Sequence, residues 1–329
     1  MGKGLSEALR EIPDDYEHEY NAYYLAKDFY FPGFLSTLAA YLKDKKTPER
    51  NFDCDPDIAG YLRTLGLNHI LWNCPEPVRV KDGVTYTPIT QLCSAEATDD
   101  VTASINGCLR HFTDNVEGQS PDGLVQLNHV VGELHDNVWS HGQSTGFSMA
   151  QKTAVPGTNR TDFYLEFAIA DKGLGFLEEM RRSGKAQLNN IECDKDALLW
   201  CLEEGNSTKH ADDSDPWAQQ LPPEHIGNSP YGHGIGSDYT VNHHQGLGLA
   251  HLVGLIEQFQ GNLTIASGTC LLNINEDGER TLETLPTSWK GVAISCKFKL
   301  SLLCEEINDT VDEQLLALME QLRGDDNEN

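Results

Sequence analysis

The chain has 329 residues, 39% of them hydrophobic, enough for one large core or two modest ones. Its 24 basic and 51 acidic side chains give 24 − 51 = −27, a field that repels a phosphate backbone, so no nucleic-acid partner is expected. Nine cysteines without a C-x-x-C pair fit neither a disulfide framework nor a zinc finger. The N-terminus lacks an apolar signal core and no run is long enough to span a bilayer, so a cytoplasmic protein with no membrane partner is expected.

Along residues 20–112, helical apolar spacing over 34–42, 58–65 and 101–112 alternates with short strand-like pieces such as 69–72. Residues 1–115 therefore read as an N-terminal α/β accessory domain, loosely similar in pattern to a STAS-type module. The turn-forming, charged stretch 113–123 supplies its boundary. Beyond it come a helix over 124–139, a strand over 163–170, a glycine-rich turn and a helix over 196–204. A long Gly/His/Pro/Asp stretch follows, then a helix over 249–259 and strands over 262–267 and 291–300. Helices followed by a largely antiparallel sheet predict an α+β fold: a two-layer α/β sandwich over 116–303, preceded by the smaller α/β domain. Residues 304–329 read as an acidic tail with one amphipathic pattern, 311–322.

Three segments carry candidate chemistry. On a helix, residues four apart stack into a ridge, here His129, Glu133, Asn137 and His141. The apolar set Leu124, Leu127, Val131, Leu134 and Val138 lies about 100° away, so the helix can bury one side and present the ridge to a cleft. A carboxylate and an amide oxygen one turn apart suit a magnesium-bound polyphosphate, because the hard cation takes oxygen ligands and the carboxylate can orient a water. Further on, the apolar strand delivers Asp171 into Lys172-Gly173-Leu174-Gly175, where glycines let a planar ring approach the backbone and the carboxylate can accept from an exocyclic amino group. Finally, Gly246-Leu247-Gly248-Leu249 opens an apolar helix whose free N–H groups favour phosphate.

In this order, E-x-x-x-N, D-x-G-x-G and G-x-G-L resemble the N, G1 and G2 boxes of the GHKL superfamily, whose ATP site is the Bergerat fold. The likeness covers residues 116–302. Gly205-Asn206-Ser207-Thr208-Lys209 resembles the stretch that opens the ATP lid, and 260–268 resembles the strand after the G2 helix. The N-x-x-x-H-G pattern over 137–142 is most similar to anti-sigma-factor serine kinases. The resemblance implies ATP and Mg2+ as cofactors, with Glu133 as catalytic base, Asn137 as the magnesium ligand and Asp171 on the adenine amino group. Gly173 and Gly175 would shape the adenine pocket, while Gly246, Gly248, Leu249 and Lys209 would meet the phosphates. Val292 stands where many members have a Thr that helps bind adenine through water.

The activity so implied is an ATPase whose lid, 205–245, closes over nucleotide and switches an unidentified protein partner in signalling or defence, with a homodimer as one assembly. Two alternatives stay open: a protein kinase acting in trans on Ser, Thr or His, and a nucleotide sensor without chemistry, which would not need Glu133. The lid histidines 210, 225, 233, 243 and 244 fit no standard zinc spacing. His135 and His141 are six apart, not the four that a zinc peptidase helix requires, and Gly184-Lys185-Ala186 lacks the rest of a phosphate-binding loop. Ser140 and His141, adjacent on a helix, point about 100° apart and make no nucleophile pair.

Overall fold

A computed structural model describes residues 2–12, 16–17, 22–79, 81–113, 122–140, 144–203, 206 and 248–305. In chain order the elements are α1 (Leu5–Glu11), β1 (Tyr16–Glu17), β2 (Ala22–Leu25), α2 (Pro32–Asp44), β3 (Phe52–Cys54), α3 (Pro56–Thr64), α4 (Leu67–Trp72), β4 (Thr90–Leu92), α5 (Ala95–Thr113) and α6 (Asp122–Ser140). They continue as β5 (Gly146–Ala154), β6 (Phe163–Asp171), α7 (Phe176–Arg182), α8 (Lys185–Leu188), α9 (Asp194–Leu202), α10 (Gly248–Gln258), β7 (Asn262–Ile274), β8 (Arg280–Lys299) and α11 (Leu300–Leu303).

The protein is mixed α+β, built on a five-stranded antiparallel sheet of order β4-β5-β6-β8-β7, with a small β1-β2-β3 sheet beside it. Alternation along β6 decides what each face meets. Leu165, Phe167 and Ile169 point into a core shared with Ile105 and Leu109 of α5, Leu127, Val131 and Leu134 of α6, Leu198 of α9 and Leu252 and Ile256 of α10. Ala170 points the other way, with Phe147, Met149 and Ala293, into a second core formed by Leu5 and Leu9 of α1, Phe34 and Leu38 of α2, Leu62 of α3 and Leu67 of α4. All five apolar positions expected on α6 are buried.

The sheet is thus covered on both faces, which corrects the two-layer expectation. Nor does the packing divide at residue 115: β4 is a strand of the main sheet, α5 packs on α6, and α1 and α2 lie against β5, β6 and β8. The apolar residues of the first 90 positions bury themselves on a sheet made downstream, a long-range pairing invisible to local periodicity. Residues 69–72, expected to be strand-like, lie in α4. Gly66 starts that helix and Asn73 ends it, both in left-handed conformation, and Leu67, Ile70 and Leu71 recur at helical spacing on the core side.

The β7/β8 hairpin is far longer than expected and doubles back. Gly268 sits at φ +60, between register shifts, and Thr264 Oγ1 bonds Asn273 Oδ1 at 2.9 Å although nine residues separate them on one strand. Asn262 to Glu276 (3.2 Å) and Arg280 to Glu257 of α10 (2.6 Å) fix the returning half against the sheet edge, which it covers.

Candidate functional site

Asp171 ends β6 as a buried carboxylate. Gly173 N–H donates to its Oδ1 at 2.6 Å and Val292 N–H to its Oδ2 at 3.3 Å. Burial raises its pKa to about 6, opposed by those two backbone bonds and by the charge of Lys172. The turn after it is shaped by one glycine of β8 and one at the cap of α7. Gly291, at φ +108, packs so closely that a Cβ there would collide with the Asp171 carbonyl, and at Gly175, φ +78, a Cβ would lie 2.9 Å from Ser267 Oγ. Ser267 Oγ in turn accepts from Phe176 N–H at 3.0 Å, tying the start of α7 to β7. Val292 therefore meets Asp171 through its backbone rather than through a hydroxyl.

Glu133 and Asn137 stand one turn apart on α6, both half-buried, while His129 of the same ridge is exposed. Glu133 Oε2 is buried without a hydrogen-bond partner among the described residues. It faces the first residue of α10: a Cβ on Gly248 would lie 2.7 Å from it. The glycine thus leaves room for the carboxylate at the helix start. An acceptor so placed calls for a donor, a water or a ligand. Leu249 next to it is buried in the core.

These two groups share one end of the sheet. Gly146 is the register partner of Asp171, and a Cβ at Gly146 would meet Val138 Cγ1 of α6 at 2.7 Å. The turn of α6 that follows Glu133 and contains Asn137 and Val138 therefore lies over the strand end that carries Asp171. Lys209, Gly246, His141 and the lid 205–245, apart from Asn206, lie outside the described residues.

Sequence reading missed what holds α6 in place. His135, fully buried, bonds Thr102 Oγ1 of α5 through Nδ1 and Ser148 Oγ of β5 through Nε2, both at 2.8 Å. Ser148 Oγ–H donates to the Ala168 carbonyl of β6 at 3.2 Å, so it must accept from Nε2–H, and Nδ1 accepts from Thr102. Burial keeps this imidazole neutral, its pKa lowered to about 3. The chain α5–His135–β5–β6 fixes the rotation of the helix that presents Glu133 and Asn137. A histidine on the apolar side of a helix pattern was the available signal.

On the opposite face Glu166 of β6 is buried beneath α2. Its Oε1 accepts from Gly33 N–H at the start of α2 (3.2 Å) and from Ser295 Oγ (3.1 Å), and burial lifts its pKa to about 7. At the other end of α2, half-buried Lys172 places its Nζ 4.0 Å from the Trp289 ring centre and 5.6 Å from that of Tyr41. Alternation at the Glu166 and Lys172 positions carried no sequence signal beyond a polar residue in an apolar strand and a turn lysine.

Among the described residues no group of three or more His, Cys, Asp or Glu is placed to hold a metal, and no helix is long and apolar enough to cross a membrane. All nine cysteines stand without a disulfide. No family model matches the chain, and neither the curated proteins nor the solved structures contain a match to it.

Proposed function

We propose that this protein binds ATP with Mg2+ and hydrolyses it as a GHKL-type ATPase, the α5/α6/α9/α10 face of the sheet being read as a Bergerat fold. The observation that carries the reading is Asp171. It is a buried carboxylate, oriented by two backbone N–H groups inside a turn where Gly291 of β8 and Gly175 at the cap of α7 take positive φ, and it sits at the end of the strand beneath the helix bearing Glu133 and Asn137. A buried acid held this way is suited to accept from one amino group of a planar base.

The residues fit a nucleotide and a magnesium ion. The Glu133 oxygen, without a hydrogen-bond partner among the described residues, leaves acceptor capacity for an attacking water beside a glycine helix start whose N–H groups suit a polyphosphate. Asn137 offers an amide oxygen to magnesium, whose remaining ligands would be phosphate and water oxygens. Bound nucleotide and metal supply the labile phosphoanhydride and neutralise its charge. Asp171 reads the base; Gly173 and Gly175 admit its ring; Glu133 orients and deprotonates water. Gly248 and Leu249 begin the helix facing the phosphates, with Gly246 and Lys209 completing that contact. Closure of 205–245 over nucleotide is the switch offered to a protein partner, and a cytoplasmic setting belongs to the same proposal.

Calorimetric titration with Mg-ATP and a phosphate-release assay test it on wild type, Glu133→Ala, Asn137→Ala and Asp171→Asn. The expected pattern is that Glu133→Ala binds within about threefold of wild type yet releases phosphate at least about a hundredfold more slowly. Asn137→Ala loses the magnesium-dependent part of affinity, and Asp171→Asn loses binding. Below about pH 6, where Asp171 takes up a proton, wild-type affinity falls by up to about tenfold per pH unit. Wild-type protein that ignores Mg-ATP sinks the reading.

A further inference from the structure

We propose that Lys172 is a positioning residue for the base-reading carboxylate, holding the Asp171–Gly175 turn in the orientation that favours adenine over guanine; this rests on the Mg-ATP reading above. The observation is a closed ring of contacts. Asp171 receives Val292 N–H on its carboxylate, and its carbonyl packs on Gly291. The next residue, Lys172, crosses to the other face of the sheet and sets its ammonium 4.0 Å from the ring centre of Trp289, two residues before Gly291 on the same strand. One side of the turn is thus fixed by β8 backbone and the other by a β8 side chain. Removing the lysine leaves the carboxylate attached through backbone bonds alone.

Tyr41 closes the ring from above. Its ring centre lies 5.6 Å from Lys172 Nζ and 5.6 Å from Lys45 Nζ, so α2 reaches the turn through an aromatic flanked by two cations. Burial lowers the Lys172 pKa, opposed first by Asp44 at the end of the same helix. The indole Nε1–H of Trp289 is buried without a hydrogen-bond partner among the described residues, where packing and the cation hold the ring. Adenine presents an amino donor to Asp171 where guanine presents a carbonyl oxygen, so the angle of the carboxylate sets the preference. A loosened turn relaxes discrimination before it abolishes binding.

The test measures dissociation constants for Mg-ATP and Mg-GTP and the melting temperature of full-length wild type, Lys172→Met, Lys172→Arg, Trp289→Phe and Trp289→Leu. Lys172→Met should weaken ATP binding about five- to tenfold, leave GTP within about twofold, and melt close to wild type. Lys172→Arg, which can also stack on indole, should restore the ATP/GTP ratio to within about twofold. Trp289→Phe keeps a ring and the ratio; Trp289→Leu loses the ratio, and the double variant with Lys172→Met loses no more. An unchanged ratio in Lys172→Met, or a Lys172→Arg as impaired as Lys172→Met, overturns the tether while leaving nucleotide binding intact. Wild type that binds neither nucleotide overturns both proposals, an outcome distinct from either.

Discussion

On the α6 face of the sheet a histidine is buried neutral, with both ring nitrogens satisfied by hydroxyls; on the α2 face a carboxylate is buried at a helix start, accepting from a backbone N–H and a serine. Both groups are buried, so each resists its charged form, and they resist it on opposite sides of the proton equilibrium. His135 has its pKa lowered from 6.5 to about 3. The unfolded chain therefore binds the extra proton between those values, and stability present above pH 6.5 is lost as pH falls. Glu166 has its pKa raised from 4.5 to about 7. The native state holds the extra proton between those values, and stability present below pH 4.5 is lost as pH rises through 7. Between about pH 4.5 and 6.5 the two slopes oppose each other, each approaching about 1.4 kcal/mol per pH unit.

Replacing His135 breaks the comparison most strongly. His135→Leu keeps the volume but removes both bonds, leaving the buried Ser148 hydroxyl without its donor and Thr102 without its acceptor. The expected cost is about 3 kcal/mol at pH 7.5 in urea unfolding. The gap should narrow by roughly 1.4 kcal/mol at pH 5.5, because the variant no longer excludes a proton. A gap of constant size at both pH values would mean that His135 is not held neutral by its surroundings. Because α6 also carries Glu133, phosphate release should fall in the same variant at temperatures where it remains folded.

The face with the histidine was the more legible one. The 3.6-residue apolar spacing of α6 and the glycine pair at the start of α10 placed Glu133, Asn137 and Gly248 on their elements, since those signals are local. Asp171 was legible because a strand buried on both faces leaves few polar positions. The α2 face was not. Whether Glu166 faces solvent or a helix depends on residues 32–44 folding back across a sheet assembled more than a hundred residues later, and one residue of register would reverse it. The strands β4 and β5 escaped notice for a related reason. Gly146-Phe147-Ser148-Met149-Ala150-Gln151 mixes small and polar residues because Gly146 must pass under Val138 and Ser148 must reach His135.

The second substitution is gentler. Glu166→Gln keeps an acceptor oxygen for Gly33 N–H and Ser295 while removing the charge, so it should stabilise, and increasingly so as pH rises. Between pH 5.5 and 8.5 the advantage over wild type is expected to grow by roughly 2 kcal/mol, the part of the shift not yet expressed at the lower value. Work below pH 5 is avoided because the sequence pI is about 4.6. In the Glu166→Gln background the histidine slope is opposed by that of Asp171, whose pKa burial raises to about 6, so stability should rise only gently between pH 6 and 7 and then level. A variant that tracks wild type in parallel across this range would place the carboxylate in water.

The smallest effect tests whether the α2 face tunes its own acid. Glu166 is faced by Lys297, its register partner on β8, as well as by Gly33, Ser295 and the Tyr61 hydroxyl, which bonds the Tyr30 carbonyl at 2.9 Å and Gln151 Oε1 at 3.4 Å. Lys297 lies 4.0 Å from the Tyr164 ring centre and 5.0 Å from that of Phe31, so its ammonium stays beside the carboxylate rather than swinging into solvent, and its charge lowers the Glu166 pKa against the larger effect of burial. Lys297→Met keeps the stem and the ring contacts and removes the charge. The pH midpoint of the Glu166-dependent loss should move up by less than about one unit, worth under about 1 kcal/mol at pH 7.5. In the Glu166→Gln background the same substitution should shift nothing with pH. A midpoint shift that survives in that background would assign the titration to another group and detach Glu166 from the difference between the two faces.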